Sequence, residues 1–400
     1  MSSRIQINLK TLHPKQAMIG SDRSRFRVAA CGRRFGKSEL AKDVLINRAL
    51  SGQRCWWLSP VYSQSTDLWH ELEATLKPMA GWVDISIGER NIYFPNDGYI
   101  GVRSAHNPDV LRGTGLDFVV LDEAAFMQVK VWDKIVRPML LERRGGALFL
   151  STPYGLNWFY DLYVRGLDDT EPDWASWHFS SYDSPLINDE ELEDIKRVTP
   201  TRIFEEEYLA EFKADGGSVF RGIEKVTTAK KCDPYKGRFH MGIDWGRDVD
   251  FTVVSVWDAD RLTEVDIDRY NQVGWQMQRD RIVAMYEKWK PETMVAESNS
   301  IGAVNIEALQ ALGLPVRPFQ TTGKSKPPLI EGLSLAIEQQ KVTLLDDEMA
   351  KMELLSYQLT RLKSGGYSYD APSGKHDDTV IARALAYSAC SAPRFAMDWV

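Results

Sequence analysis

Residues 31–38 read Cys-Gly-Arg-Arg-Phe-Gly-Lys-Ser, and the closing Gly36-Lys37-Ser38 suits phosphate binding. A glycine lets the backbone curl until its amides face phosphate oxygens, a lysine reaches the β- and γ-phosphates, and a hydroxyl ligates Mg²⁺. The first glycine of the usual pattern would fall at Cys31, and Gly32 comes one residue late. Gly-Lys-Ser alone is common by chance, so context decides. An apolar run, Phe26 to Cys31, precedes it, and a helical pattern from Ser38 to Leu50 follows. Within the loop, Arg33 and Arg34 are placed to sense or stabilise a γ-phosphate. A second apolar run, Phe118-Val119-Val120-Leu121, ends in Asp122-Glu123. Asp122 would hold the Mg²⁺ shell and Glu123 would polarise the attacking water. Two acids there could equally cap a following helix; the upstream Gly-Lys-Ser favours the catalytic reading. A third run ends in Ser151-Thr152-Pro153, where Thr152 sits to report loss of the γ-phosphate, and Gln16 of His13-Pro14-Lys15-Gln16 could read an adenine edge. The cofactors expected are ATP and Mg²⁺.

The second half carries a different constellation. Met241-Gly242-Ile243 leads into Asp244, Thr293-Met294-Val295-Ala296 into Glu297, and Lys375-His376-Asp377-Asp378 opens a helix rich in Ala and Leu. Each acid alone reads as a cap or a solvated turn. Together, two strand ends and a helix start supply oxygen donors that favour Mg²⁺, with Mn²⁺ as an alternative. Two such ions, about 4 Å apart, can activate water and stabilise the leaving oxygen of a phosphodiester.

The elements needed to position these groups are visible as patterns. The first half alternates strands (Phe26 to Cys31, Arg54 to Ser59, Phe118 to Leu121, Ala147 to Leu150) with helices (Ser38 to Leu50, Asp67 to Leu76), which implies a mainly parallel sheet. A helix-like stretch, Thr201 to Phe212, ends at Ala214-Asp215-Gly216-Gly217, read as a joint. Beyond it, Phe239 to Ile243, Phe251 to Trp257 and Glu264 to Tyr270 follow one another through short polar turns, as in an antiparallel meander. Helices near Trp275 to Trp289, Pro328 to Gln340 and Asp378 to Ala389, and a strand at Thr293 to Glu297, complete a second α/β layout. Around Gly365-Gly366 a hairpin is expected, whose Arg361, Lys363, Tyr367 and Tyr369 could touch a DNA backbone. The loop Gly323 to Pro328 could also meet phosphate, but its Gly-Lys-Ser reads as a decoy P-loop: Pro327 and Pro328 follow at once, so no helix is expected to start there.

Composition narrows the class. With 400 residues, 44% hydrophobic and 26% charged, the chain fits two or three ordinary globular domains. No apolar run is long enough to cross a bilayer, and Met1 to Lys15 lacks the apolar core of a secretory signal. Four scattered cysteines argue against a disulfide framework and for a reducing compartment. A net charge of −7 excludes a uniformly basic nucleic-acid coat but not a local basic channel.

These residues resemble, in order and nearly from end to end, the large terminase subunit of tailed double-stranded DNA bacteriophages. The order is His13-Pro14-Lys15-Gln16, the Arg-containing loop Gly32 to Ser38, Leu111-Arg112-Gly113 before Asp122-Glu123, Ser151-Thr152-Pro153, Ala214 to Gly217, then Asp244, Glu297 and His376-Asp377-Asp378. The resemblance implies a P-loop ATPase of the additional-strand type (residues 1–213), a linker (214–235) and an RNase H-like nuclease with a mixed sheet (236–400). It implies an ATP-driven motor that packages concatemeric double-stranded DNA into a procapsid and cuts it. By the same resemblance, Ser151-Thr152 couples hydrolysis to motion and Gln16 contacts adenine. Arg33 is the loop arginine, Arg112 is a candidate to reach a neighbouring subunit, and Asp378 is the main metal ligand of its pair. The implied partners are DNA, the portal protein, the small terminase subunit and further copies in a ring, with a monomer in isolation. The implied location is the host cytoplasm, transiently at the portal and not in the mature virion. The chain looks short for a portal-docking tail. The rivals are a helicase or DNA-repair ATPase with a fused metal-dependent nuclease, and an ATP-gated scaffold whose carboxylates are structural.

Overall fold

The computed structural model describes residues 9–111, 113, 115–213, 218–246, 250–299, 302–361, 367–372 and 375–391. Arg112, Lys363 and residues 214–217 lie outside them. The described residues divide into two compact units, 9–213 and 218–360 with 367–391, and Arg361 groups with the first.

The first unit runs α1 (Pro14–Ser21), β1 (Phe26–Cys31), α2 (Lys37–Leu50), β2 (Arg54–Ser59), α3 (Tyr62–Leu76), β3 (Asp84–Ser86), β4 (Asn91–Tyr93), β5 (Tyr99–Ser104), β6 (Phe118–Asp122), α4 (Val129–Val131), α5 (Arg137–Leu141), β7 (Gly146–Ser151), α6 (Trp158–Arg165), β8 (Trp174–Phe179), α7 (Asp189–Val198) and α8 (Thr201–Glu207). The strands order as β3-β4-β5-β2-β6-β7-β1-β8. From β5 to β8 every pairing is parallel, and β3, β4 and β5 pair antiparallel at one edge. That antiparallel edge has no counterpart in the sequence reading. β1 and β6 are buried along their whole length because helices cover both sheet faces. Leu40, Leu45 and Leu72 pack on Ala29, Trp57 and Val120 on one side; Trp132, Phe159 and Trp174 pack on Val119, Leu121 and Phe149 on the other. Parallel pairing brings the ends of β1, β7 and β6 out along one edge, with Ala30 beside Ser151 and Leu150 beside Asp122.

The second unit runs α9 (Ile223–Val226), β9 (Thr227–Ala229), β10 (Phe239–Asp244), β11 (Thr252–Asp258), β12 (Thr263–Tyr270), α10 (Trp275–Trp289), β13 (Thr293–Glu297), α11 (Gly302–Ala311), β14 (Val316–Phe319), α12 (Lys326–Glu338), β15 (Leu344–Leu345), α13 (Glu348–Ser356), β16 (Gln358–Arg361), β17 (Tyr367–Asp370) and α14 (Asp378–Ser391). Its main sheet orders as β12-β11-β10-β13-β14. β10, β11 and β12 form the expected antiparallel meander, while β13 and β14 join in parallel, so the sheet is mixed.

α14 lies against β10 because Gly242 has no side chain. A Cβ there would stand 2.0 Å from the Ala382 carbonyl oxygen and 2.5 Å from the Ala386 nitrogen. The helix start is capped by Glu353, whose Oε2 accepts from the Thr379 amide at 2.9 Å and hydroxyl at 2.5 Å. Further along, the fully buried Arg383 is held by Glu264 at 2.7–3.0 Å. Gly242→Ala is therefore expected to cost about 1–3 kcal/mol of stability by overpacking and to lower metal-dependent cutting as Asp378 is pushed away. Thermal unfolding and plasmid cleavage check this; an unchanged midpoint would remove the argument.

Four expectations need correction. The helix-like stretch from Thr201 stops at Glu207, three residues before Ala210 turns left-handed at φ 57°. α3 begins at Tyr62, five residues before Asp67. α12 does start directly after Gly323-Lys324-Ser325, because proline is tolerated in a first turn, where no helical N–H partner is lost. Part of the stretch read as linker is folded into the second unit, since β9 pairs with β15. Among the described residues no helix is long and apolar enough to cross a membrane.

Candidate active sites

Gly36 takes φ 98°, a backbone that glycine adopts without penalty, and α2 starts at the next residue. The helix's first amides therefore open at the loop, as an anion site requires. Lys37 Nζ turns back to within 3.2 Å of the Cys31 carbonyl and 3.4 Å of that of Gly32, and stands 3.4 Å from Glu123 Oε1. Ser38 is half-buried in the first turn of α2. The loop is stitched to segments far along the chain. The Gly32 amide donates to Phe179 O at 2.9 Å, the Arg33 amide to Glu207 O at 2.7 Å, and Ser181 Oγ to Arg33 O at 2.7 Å. The Arg33 guanidinium pairs with the buried Glu207 carboxylate, and Arg34 is exposed with φ 60°.

Asp122 ends β6 and is 6% exposed, with the Trp57 indole donating to it at 3.3 Å. Burial, then the charge of Glu123, push its carboxyl up to about 7, against the pull of Lys37 and Trp57. A buried carboxylate so short of positive charge fits a divalent cation. Glu123 is left-handed at φ 52°, an unusual backbone for this residue type. Its Oε2 accepts from Ser151 Oγ and the Thr152 amide at 3.3 Å each, and from Thr152 Oγ1 at 3.4 Å. Gln16 is buried, and its amide is spent on neighbouring backbone: Nε2 donates to Gly36 O at 2.8 Å and Oε1 accepts from the His13 amide at 3.0 Å. Gln16 thus braces the loop here instead of presenting an open edge to adenine.

In the second unit, Asp244 and Glu297 close the paired strands β10 and β13, and Asp378 opens α14. Burial first, then Glu297, Asp378 and Asp377, drive the Asp244 carboxyl well above its ordinary range. Asp378 is pushed up to about 6, mainly by burial, although its Oδ2 accepts from the Phe251 amide at 3.1 Å. His376 Nδ1 stands 3.7 Å from Asp378 Oδ2. Asp377 is raised by burial and faces Lys326 at 3.5 Å. The structure thus places Asp244 in the field of the other three acids. Hard oxygen donors crowded this way fit a divalent cation, though among the described residues no three His, Cys, Asp or Glu side chains stand ready in a geometry that would hold one.

Comparison with known proteins decides the family. The family described as "Terminase large subunit, T4likevirus-type, N-terminal" matches residues 29–226, and "Terminase RNaseH-like domain" matches residues 241–389. The large terminase subunit of Thermus phage G20c is 30% identical over 425 aligned positions, covering 94% of this chain and 87% of that one. The chain belongs to the large terminase subunits. A solved large terminase from a thermophilic bacteriophage is 14% identical but shares the fold over 95% of this chain and 99% of its own, with a TM-score of 0.56. The first unit is therefore the N-terminal part of a large terminase subunit and the second its RNase H-like domain.

Several partners in these sites escape a reading of the sequence. Glu207, Trp57 and Glu353 carry no motif; each meets its site through a long-range contact. The hairpin strands β16 and β17 pair as expected, but Tyr369 is buried with its hydroxyl on Glu331 at 2.6 Å, which removes it from any DNA surface.

Proposed function

We propose that this large terminase subunit is an ATP-driven motor that moves double-stranded DNA into a procapsid and cuts it with a metal-dependent nuclease. The observation that carries the reading is Lys37 against Glu123 at the head of α2 in the ATPase unit, in a chain that also holds the crowded acids of the nuclease unit. In the ATPase unit, Lys37 and the loop backbone from Gly32 to Gly36 hold the β- and γ-phosphates. Arg33 and Arg34 approach the γ-phosphate, and Gln16 acts on the nucleotide through the loop it braces. Ser38 and Asp122 would hold Mg²⁺, which would supply charge neutralisation on the phosphates. Glu123 orients the attacking water, and Ser151 and Thr152 fix that carboxylate and feel the γ-phosphate leave.

In the nuclease unit Asp244, Glu297 and Asp378, with Asp377, would hold Mg²⁺ or Mn²⁺, which would supply activation of water and stabilisation of the leaving oxygen. Contact with DNA is mainly to phosphates, because a motor must ignore sequence. The partners are the portal protein, the small terminase subunit and further copies in a ring, with Arg112 reaching a neighbour; the isolated chain is a monomer. It works in the host cytoplasm, transiently at the portal, and is absent from the mature virion.

The test is packaging in vitro: purified chain, portal-bearing procapsids, linear DNA and ATP, read as DNA protected from added DNase. ATP-dependent protection is expected. If free DNA alone brings ATP turnover to its full rate, strands unwind and nothing is protected, the helicase reading replaces this one.

A further inference from the structure

We propose that Lys326 is a substrate-contacting residue of the nuclease, holding a DNA backbone phosphate beside Asp244, Glu297 and Asp378; the proposal rests on the nuclease reading above. Lys326 is the first residue of α12, a helix of 13 residues. The helix dipole makes that position unfavourable for a cation, so helix stability does not account for a lysine there. The loop before it is tied internally: Ser325 Oγ donates to Gln320 O at 2.6 Å, and the Thr322 amide donates to Ser325 Oγ at 2.9 Å. Pro327 then stiffens the first turn. The backbone thus presents Lys326 from a fixed base.

Its side chain, 19% exposed, does not point to open solvent. Nζ stands 3.0 Å from Asp370 Oδ1 on β17 and 3.5 Å from Asp377 Oδ2. One ammonium therefore lies between a hairpin strand and the acid pair that begins α14. While those acids carry their full negative charge, the lysine is held among them. A cation bound at Asp377 would weaken that acid's share of the hold and favour an incoming phosphate as the next partner. A lysine offers three donors around a point charge, which suits a backbone phosphate presented by any sequence. A purely structural lysine, pinning β17 to α12, is the competing account, and the two differ in what DNA binding feels.

Binding of a fluorescein-labelled duplex to the full chain, in Ca²⁺ to suppress cutting, separates them. Lys326→Met is expected to bind about tenfold more weakly, as loss of one charge-assisted contact implies. The slope of log K against log salt should fall by about 0.9, the signature of one phosphate contact. Lys326→Arg should keep most of the affinity and the full slope. Wild-type affinity and slope in Lys326→Met overturn the proposal. So does an equal loss in Lys326→Arg, which keeps the charge and would point to packing. Cleavage by Asp244→Asn in Mg²⁺ is read in parallel. If that variant is dead and Lys326→Met binds normally, only the role of Lys326 falls. If Asp244→Asn cuts like wild type, the nuclease reading falls and takes the proposal with it.

Discussion

Glu123→Gln is expected to lower ATP turnover by about 10²–10⁴-fold while leaving ATP binding and DNA cutting intact. Glutamine preserves the shape that Ser151 and Thr152 hold but not the negative charge that polarises water. The geometry makes this a sharp test. Glu123 is held in a left-handed backbone and anchored from β7, the strand between β6 and β1. Lys37 lies 3.4 Å away, so removing the charge also frees the lysine for phosphate. Nucleotide affinity should therefore stay level or rise. Single-turnover hydrolysis and equilibrium binding of a labelled ATP measure the two sides. Wild-type turnover would mean that the acid at the end of β6 does something else, and that the water is oriented from another element.

Asp244→Asn is expected to reduce metal-dependent cutting by about 10³-fold, equivalent to about 4 kcal/mol of lost transition-state stabilisation, with ATP turnover unchanged. It should also stabilise the metal-free protein. Burial and three neighbouring acids raise the Asp244 carboxyl well above its unfolded value. The folded state then holds a proton that the unfolded chain has released, so stability falls as pH rises from about 4 toward the folded value. Asparagine removes that loss. In EDTA the variant and wild type should unfold together near pH 4, and the variant should unfold at a higher temperature as pH increases. Asp378, raised to about 6, leaves part of the decline in both proteins. Parallel pH profiles would show that the acids are not crowded in solution; undiminished cutting would show that Asp244 is not at the nuclease site.

The sequence is most informative where one segment carries both an element and its chemistry. The runs ending at Cys31, Asp122, Ser151, Asp244 and Glu297 are mainly apolar strands, and in a parallel pairing strand ends are where reactive side chains emerge. α10 and β13 span the residues their periodicity marks. The legibility fades where structure depends on distant partners. Arg33 meets Glu207 across 174 positions, Arg383 meets Glu264 across 119, and Lys326 meets Asp370 across 44. No local pattern marks those acids. β3 and β4 span three residues each, too short for any period to show. The proline after Lys326 misleads because its meaning depends on whether the helix has already begun.

The small helix α1 looks like an appendage to the first unit, yet it is fastened at both ends. Arg27 of β1 donates to the Ile19 and Gly20 carbonyls at 2.8 and 2.9 Å, and Gln16 holds Gly36. A shortened protein that begins at β1 would therefore keep its sheet and lose the clasp on its phosphate loop. It would also leave the buried Arg27 without the carbonyls that receive it. Anyone trimming this chain to an ATPase fragment should expect soluble protein with poor nucleotide affinity, and should place the cut before His13.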